Sequence, residues 1–363
     1  MTSPVRDLDS APTGNVARVS VAIPCYNYGQ FLERCLDSVL SQQGVHVEVL
    51  IVDDASTDDS AEVARRLAER DPRVNVVVHE QNHGHLATYN EGFEWATGEF
   101  TVLLSADDLL VDGALARATR IFRENPAVGF VYGRPVYFPD DDHIPRVRSG
   151  PGRAHIWPGQ QWVAQRFRDP VNVISSPEVV IRTSLLQKVG GFRDGLVHAG
   201  DLELWIRLAT HGDVAYVRGA DQALYRRHGA SMSRATYSTL LFDLQQRAEV
   251  FDCLATDPSV HIDDRDELHL TAKRRIARQS LWLANRAYDR RRTDETPVDD
   301  LVSFAQSCYP GYERLPEWRG YLVRRRIGAR RMPYLQPLVL SVVIRRIRTW
   351  LWWASWRRRG IGL

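Results

Sequence analysis

TVLLSADDLL, residues 101–110, decides how the rest of the chain is read. An apolar run from Phe100 to Leu104 stops at a small polar step, and Asp107 and Asp108 follow. The run predicts a short buried strand with two acids just past its end. In an open α/β sheet, ligands bind in the crevice beyond the carboxyl ends of the strands. Two carboxylates there repel each other unless something positive joins them, and a divalent metal carrying a phosphate ester is such a partner. The competing assignment is structural: either acid would cap a helix starting near Leu109.

Upstream, residues 19–23, VSVAI, read as a buried strand closed by Pro24, and Asn27 and Gly29 supply turn chemistry. Residues 31–43 predict an amphipathic helix, with Phe31, Cys35, Val39 and Leu32, Leu36, Leu40 on one stripe. VHVEVLIV, residues 45–52, is a second strand and ends in Asp53-Asp54. A helix through 61–70, a strand at 74–79, a polar turn at 80–84 and a helix across 87–96 lead back to the opening stretch. This β-α-β-α-β-α-β order with short links predicts an α/β fold with a mainly parallel sheet flanked by helices. Two strand ends then carry paired acids at matching topological positions.

Downstream, residues 112–125 predict a helix, 128–138 a strand and 139–159 a surface loop or flap rich in Pro, Gly and Asp. Residues 201–208, DLELWIRL, suit a buried helix with Asp201 near its start. Residues 214–217 and 221–225 read as two short strands, followed by Arg226-Arg227-His228 and a polar loop to Arg234. From Leu240 onward the pattern is helical.

The 363 residues are 44% hydrophobic and 25% charged with a net charge of +2, ordinary globular values that carry no nucleic-acid signature. The balance conceals an asymmetry, since Glu317 is the last acid and twelve arginines follow it. Four cysteines without CxxC spacing suggest free thiols and a cytoplasmic setting. Residues 1–17 lack the apolar core of a signal peptide and predict a disordered lead-in. In 338–356, Ser341, Arg345, Arg348, Trp352 and Ser355 fall on one helical face, with Ile347, Trp350 and Leu351 on others. The apolar runs are far short of the ~20 residues a span needs. A Trp- and Arg-rich helix of this kind predicts peripheral contact with the inner face of the cell membrane, or packing on the protein or on a second subunit as a homodimer.

The segments VSVAIPCYNYGQFLERCLDSVLSQ, VEVLIVDDASTDDS, EQNHGHLATYNEGFEWATGEFTVLLSADD, GGFRDG, GDLELWIRLATHG and YRRH together resemble family 2 glycosyltransferases of the GT-A fold. The resemblance runs from about Arg18 to Arg234. It divides the chain into a lead-in at 1–17, a glycosyltransferase domain at 18–237, a helical region at 238–316 and an Arg/Trp-rich tail at 317–363. It implies an inverting transfer of a sugar from a UDP- or TDP-sugar donor to an acceptor hydroxyl with Mg²⁺ or Mn²⁺. The acceptor would be a glycan, a lipid-linked compound or a small molecule.

By the same resemblance, Pro24, Tyr26, Asp53, Asp54, Gly84, Asn90 and Asp107 bind the donor. Tyr26 stacks on the base or packs in a turn; Asp54 accepts the base N–H or caps the next helix. Asp107 contacts the ribose, Asp108 the metal, and His228 adds a metal or diphosphate contact unless it is a surface-loop histidine. Asp201 is the base that takes the acceptor proton, compatible with a helix N-cap, and Glu203 is its fallback. Three departures stand out: Tyr89 where the family often has Arg, Ser105 where an earlier Asp is common, and Gly200 in place of an acid. Trp157, Trp162 and Trp205 either stack on sugar or fill core. Two rival classes remain, a nucleotidyltransferase and a catalytically silent nucleotide-sugar binding protein. A dinucleotide enzyme is disfavoured because no G-x-G-x-x-G follows the first strand.

Overall fold

The computed structural model describes residues 6–7, 16–229, 240–335 and 338–360, with the side chains at 6–7, 335, 338–346 and 348 outside the description. The predicted lead-in thus lies largely outside the described residues, as do residues 230–239, which include the end of the polar loop expected up to Arg234. The chain divides into two compact units. One comprises Met1–Trp162, Asn172–Ser231 and Arg357–Gly360; the other comprises Val163–Val171, Met232–Trp356 and Ile361–Leu363.

The first unit holds one mixed sheet. Its strands are β1 (Arg6–Asp7), β2 (Ala17–Cys25), β3 (Val45–Asp53), β4 (Val74–Val78), β5 (Phe100–Leu103), β6 (Leu109–Leu110), β7 (Val128–Phe138), β8 (Arg153–Trp157), β9 (Val180–Arg182) and β10 (Asp213–Arg226). The order is β1-β8-β10-β7-β9-β5-β2-β3-β4, with β6 antiparallel to β10. β2 lies between β3 and β5 and is parallel to both, and β4 extends the parallel part. Val19, Val21, Ile23, Val49, Ile51 and Val102 are all buried. Continuous apolar runs are what a parallel sheet covered on both faces requires.

Helices α1 (Gly29–Leu40), α2 (Ser60–Arg70) and α3 (His85–Trp95) connect the parallel strands. α1 buries Leu32, Cys35, Leu36 and Val39, the stripe expected from its spacing. Its first residue must be glycine, because a Cβ there would stand 2.7 Å from Asp59 Oδ1 and 3.0 Å from the Ser60 Cα.

The register brings three strand ends to one edge. Cys25 pairs with Asp53, and Ala22 with Leu103. The Asp54 amide donates to the Cys25 carbonyl at 2.9 Å and that of Leu104 to Ala22 at 2.9 Å. Tyr26, Asp53-Asp54 and Asp107-Asp108 therefore leave the sheet together.

Three local expectations change. The residues after Asp108 form β6 instead of a helix, and α4 (Ala114–Glu124) starts beyond them on Gly113. That removes the capping assignment for Asp107 and Asp108. The supposed flap contains β8, antiparallel to β10, and β1 pairs with β8, so part of the lead-in closes the sheet edge. The two short strands at 214–225 are one strand, β10, irregular between Tyr216 and Asp221. Trp157, Trp162 and Trp205 are buried, and core packing is their role.

After α5 (Gly159–Arg168), α6 (Thr183–Val189) and α7 (Gly200–Ala209), the second unit is helical. It contains α8 (Leu240–Thr256), α9 (Arg265–Asp289), α10 (Val298–Cys308), α11 (Pro316–Ile327), α12 (Met332–Leu335) and α13 (Leu338–Arg359). The Arg278 guanidinium donates twice to Glu317, at 2.9 and 2.7 Å, and so ties α9 to α11. Residues 317–356 lie in the same compact unit as the preceding helices. Among the described residues no helix is long and apolar enough to cross a membrane.

Candidate active site

The turn after β2 is held by side chains. Asn27, at φ +58°, accepts the Thr57 amide at 2.7 Å, and its own amide donates to Ser56 Oγ at 2.9 Å. The turn leaves Tyr26 47% exposed, which removes the packing assignment for its ring and frees a face for stacking. Pro24 stays in β2 opposite Val52. Asp53 is buried; its Oδ1 accepts the Ser56 amide at 3.1 Å, and its Oδ2 has no hydrogen-bond partner among the described residues.

Asp54 does not cap α2. Its Oδ1 accepts the His83 amide at 2.8 Å and its Oδ2 the Gly84 amide at 2.9 Å. Gly84, at φ +84°, is the residue type that can turn the chain there before α3. His79 Nδ1 also lies 2.8 Å from Asp54 Oδ1, and its Nε2 lies 2.6 Å from Glu91 Oε2. Burial alone would raise the Asp54 pKa, but His79 and the two amides hold it below the usual carboxylate range. Burial would lower the His79 pKa, yet the two carboxylates raise it.

Asp54, His79 and His83 bring ligand atoms within 4.8 Å of one another, close enough for a metal. His79 already bridges Asp54 and Glu91 through its two ring nitrogens, so a metal bound there would take the place of one of those contacts. Most of the acceptor capacity of Asp54 is spent shaping the 79–84 turn; Oδ2, which takes the Gly84 amide, keeps one lone pair.

Asn90, expected at the donor, has a structural task in α3. Its Oδ1 accepts the Phe192 amide at 2.7 Å, and its Nδ2 donates to the Phe192 carbonyl at 2.9 Å. One end of the amide on each backbone group staples α3 to the Gly190–Phe192 turn, and one N–H and one acceptor lone pair remain.

Past β5 the acids meet the end of β10. Asp108 Oδ1 accepts the Arg226 amide at 2.8 Å, and Arg226 Nε donates to the Asp107 carbonyl at 2.9 Å. The Arg226 guanidinium, 4.5 Å from the Phe31 ring centroid and 4.4 Å from that of Phe138, also pairs with Asp141 at 2.6 Å. Asp107 Oδ2 lies 3.0 Å from His228 Nε2, and His228 packs on Tyr28 and Phe31. His228 is thus part of the cluster and not a surface-loop residue. Burial, then the neighbouring Asp107, pushes the Asp108 pKa well above the usual range. Asp107 and His228 thus bring two ligand-type atoms to 3.0 Å of each other, while Asp108, the next residue, is engaged by the Arg226 amide.

Asp201 lies in the first turn of α7, which starts at Gly200 with Ala199 as its N-cap. Its Oδ1 accepts the Leu202 amide at 2.8 Å, and its Oδ2 accepts from Asn172 Nδ2 at 2.6 Å. Burial pushes its pKa up to about 6 against these bonds. Glu203 is not available as a second base. It is fully buried, bonded to Arg207 through both oxygens at 2.8 Å and to Arg193 at 3.1 Å.

Glu178 joins the site unannounced by the sequence. It is 1% exposed; Oε1 accepts the Ser175 amide at 2.7 Å, while Oε2 has no partner among the described residues. Burial pushes its pKa up to about 8, with a smaller push from Asp201, and Glu178 in turn acts on Asp108. Tyr89, half-buried on α3 against Phe192, feels Asp107 and Asp201 together. Asp107, Asp108 and Glu178 are buried, and the half-buried Asp201 acts on both Tyr89 and Glu178. A carboxyl whose folded pKa lies above its unfolded value stabilises the fold less as pH rises between the two. From about pH 5 to pH 8 the wild type should lose on the order of 3 kcal/mol through Glu178. Glu178→Gln should remove that loss, as read from denaturant midpoints at both pH values.

The protein-family model described as Glycosyl transferase family 2 matches residues 20–189. An uncharacterized protein of Mycobacterium tuberculosis is 31% identical over 267 residues, covering 69% of this chain and 81% of its own length. An uncharacterized glycosyltransferase of Nostoc is 35% identical over 132 residues, with 36% of this chain and 41% of the relative covered. Among solved structures, S. aureus TarS 1–349 in complex with UDP-GlcNAc matches with a TM-score of 0.60 at 16% identity, covering 88% of this chain and 92% of that one. A mannosyltransferase from Pyrobaculum calidifontis in complex with GDP-Man and Mn²⁺ matches with a TM-score of 0.53 at 20% identity, covering 94% and 90%. At such identities the likeness is one of fold, and that fold is GT-A. With strand-end acids, a GT-A sheet and these matches in agreement, the chain belongs to glycosyltransferase family 2 and is a glycosyltransferase.

Proposed function

We propose that this glycosyltransferase is inverting and metal dependent, moving a sugar from a UDP- or TDP-sugar to an acceptor hydroxyl. The observation that carries the reading is the Asp107–His228 pair, 3.0 Å apart beside Asp108, with Asp107 and Asp201 both acting on Tyr89. Asp107 and His228 would hold Mg²⁺ or Mn²⁺. Asp108, whose Oδ1 is spent on the Arg226 amide, anchors β10 and so aims His228. This moves the metal contact from Asp108, to which the resemblance gives it, to Asp107, to which the resemblance gives the ribose. When bound, the divalent cation neutralises charge on the leaving diphosphate. Tyr26 stacks on the base, and Asp53 Oδ2 with the remaining capacity of Asp54 accepts base or ribose donors.

In the mechanism, the acceptor hydroxyl approaches C1 from the side opposite the diphosphate; Asp201 Oδ takes its proton as the new C–O bond forms and the bond from C1 to the diphosphate oxygen breaks, releasing the nucleoside diphosphate. Asn172 fixes the rotamer of that carboxylate. Its negative charge, half-buried and fixed in place, also attracts the positive charge developing on the sugar ring. We also propose a cytoplasmic enzyme whose acceptor is a glycan, a lipid-linked compound or a small molecule, with a sugar-transfer domain at 18–237 followed by the helical region and tail.

The test is a thermal-shift screen of UDP, TDP, GDP and NAD with and without Mn²⁺, paired with mass analysis of incubated nucleotide sugars. Stabilisation by a pyrimidine diphosphate that needs the metal, and release of nucleoside diphosphate, is the expected result. Release of pyrophosphate from a triphosphate and sugar phosphate would point to nucleotidyl transfer. Binding without turnover of any donor would point to a silent binding protein.

A further inference from the structure

The second unit carries an exposed apolar surface that sugar transfer does not use. On α13, Trp352, Ser355 and Trp356 form the packed side; Trp352 Nε1 donates to Asp169 at 2.9 Å, while Ser355 and Trp356 are buried. The opposite side presents Ile347, Trp350 and Leu351 at the i, i+3, i+4 spacing of one helical face, with Trp353 beside it. Trp350 is 64% exposed and Ile347 53%. α11 repeats the design. Tyr321 is buried against Tyr288 and Trp318, while Leu322 and Val323 are exposed on a face whose neighbours one turn away are the exposed Arg319 and Arg326.

A face this apolar in water is uncommon unless something covers it. The charge says what. Between Trp318 and Leu363 the chain has twelve arginines and no acid, and α13 ends in Arg357, Arg358 and Arg359. Such a face suits an anionic surface and repels a second copy of itself. Exposed tryptophans with arginines beside them are the side chains that settle at a headgroup boundary, the ring in the acyl margin and the cation among phosphates. No helix among the described residues can span a bilayer, so the mode is contact in the plane of the interface.

We propose that the exposed faces of α11 and α13 dock this enzyme on a membrane rich in anionic phospholipid. The docking is independent of the donor chemistry and rests on the proposed function only in that a lipid-linked compound is among the acceptors proposed. The attraction acts over about a Debye length, ~8 Å at physiological salt, so it weakens as salt rises.

The test is flotation of the full chain with vesicles of phosphatidylcholine alone or of phosphatidylcholine containing phosphatidylglycerol. Recovery with the anionic vesicles should exceed that with neutral ones by about tenfold and fall at high salt. Trp350→Ser with Trp353→Ser should lower it by about tenfold, as should Arg319→Gln with Arg326→Gln, while melting temperatures stay at the wild-type value. Titration of the same samples with UDP and Mn²⁺ reads donor binding separately, so failure of one reading leaves the other standing. Equal recovery from both vesicle types, or variants that float as well as wild type, would overturn the proposal. So would a wild-type dimer in light scattering that the paired Trp→Ser change dissolves, because the face would then belong to a second copy.

Discussion

Asp201→Asn should lower kcat by about 10³-fold or more while leaving donor affinity within a factor of about two to three. The substitution keeps volume and leaves an oxygen to accept the Leu202 amide, so the first turn of α7 survives. It removes the two properties the proposed mechanism needs there, an oxygen that can take a proton and a negative charge facing the sugar ring. The alternative base cannot replace it, since Glu203 is locked between Arg207 and Arg193. The pH profile adds a second reading. Because burial places the Asp201 pKa at about 6, the ionised base dominates above that value. For the free enzyme, kcat/KM should fall tenfold per pH unit well below it and level off above it. Rates measured across pH on wild type and variant check both; unchanged kcat with weakened donor affinity would remove the role.

Asp107→Asn is the second large effect. Asp107 faces His228, and removing its charge takes away the anion that would hold a cation against the diphosphate. It also relieves Asp108, whose pKa should fall toward the usual range once its charged neighbour is gone. Initial rates at increasing Mn²⁺ should show a requirement for the metal raised by about 10- to 100-fold, the usual cost of losing a ligand contact. Asp108→Asn should behave differently. It weakens the anchor of β10 through the Arg226 amide, so its loss should appear in stability as well as in rate.

Much of this was legible in the chain, for physical reasons that differ by element. β2, β3 and β5 are buried on both faces, so each shows as an unbroken apolar run, and the acids that end them mark the sheet edge. β8 is short and borders a stretch rich in Pro, Gly and Asp, so it reads as loop. The irregularity of β10, where Gly219 takes φ +87° and the exposed Arg218 interrupts the apolar pattern, reads as a break between two strands. In the site, Tyr26, Asp107 and Asp201 carry chemistry that their positions announce. Glu178 does not. A lone acid in SSPEVV looks like a solvated loop residue until the fold buries it beside Asp201. The structural task of Asn90 is equally silent, because an amide suits a ligand and a backbone staple equally well. The preference for Asp107 as the cation-facing acid needed the position of β10, which pairs from far along the chain.

The central claim is that carboxylates at one rim of the sheet hold a cation that grips the departing nucleotide. Calorimetric titration of UDP into the wild-type chain, with Mn²⁺ and again with EDTA, addresses it directly. The account predicts affinity at least about 100-fold higher with the metal, ~2.7 kcal/mol, and loss of most of that gain in Asp107→Asn. Equal affinity in Mn²⁺ and EDTA, or a metal gain untouched by Asp107→Asn, would contradict it.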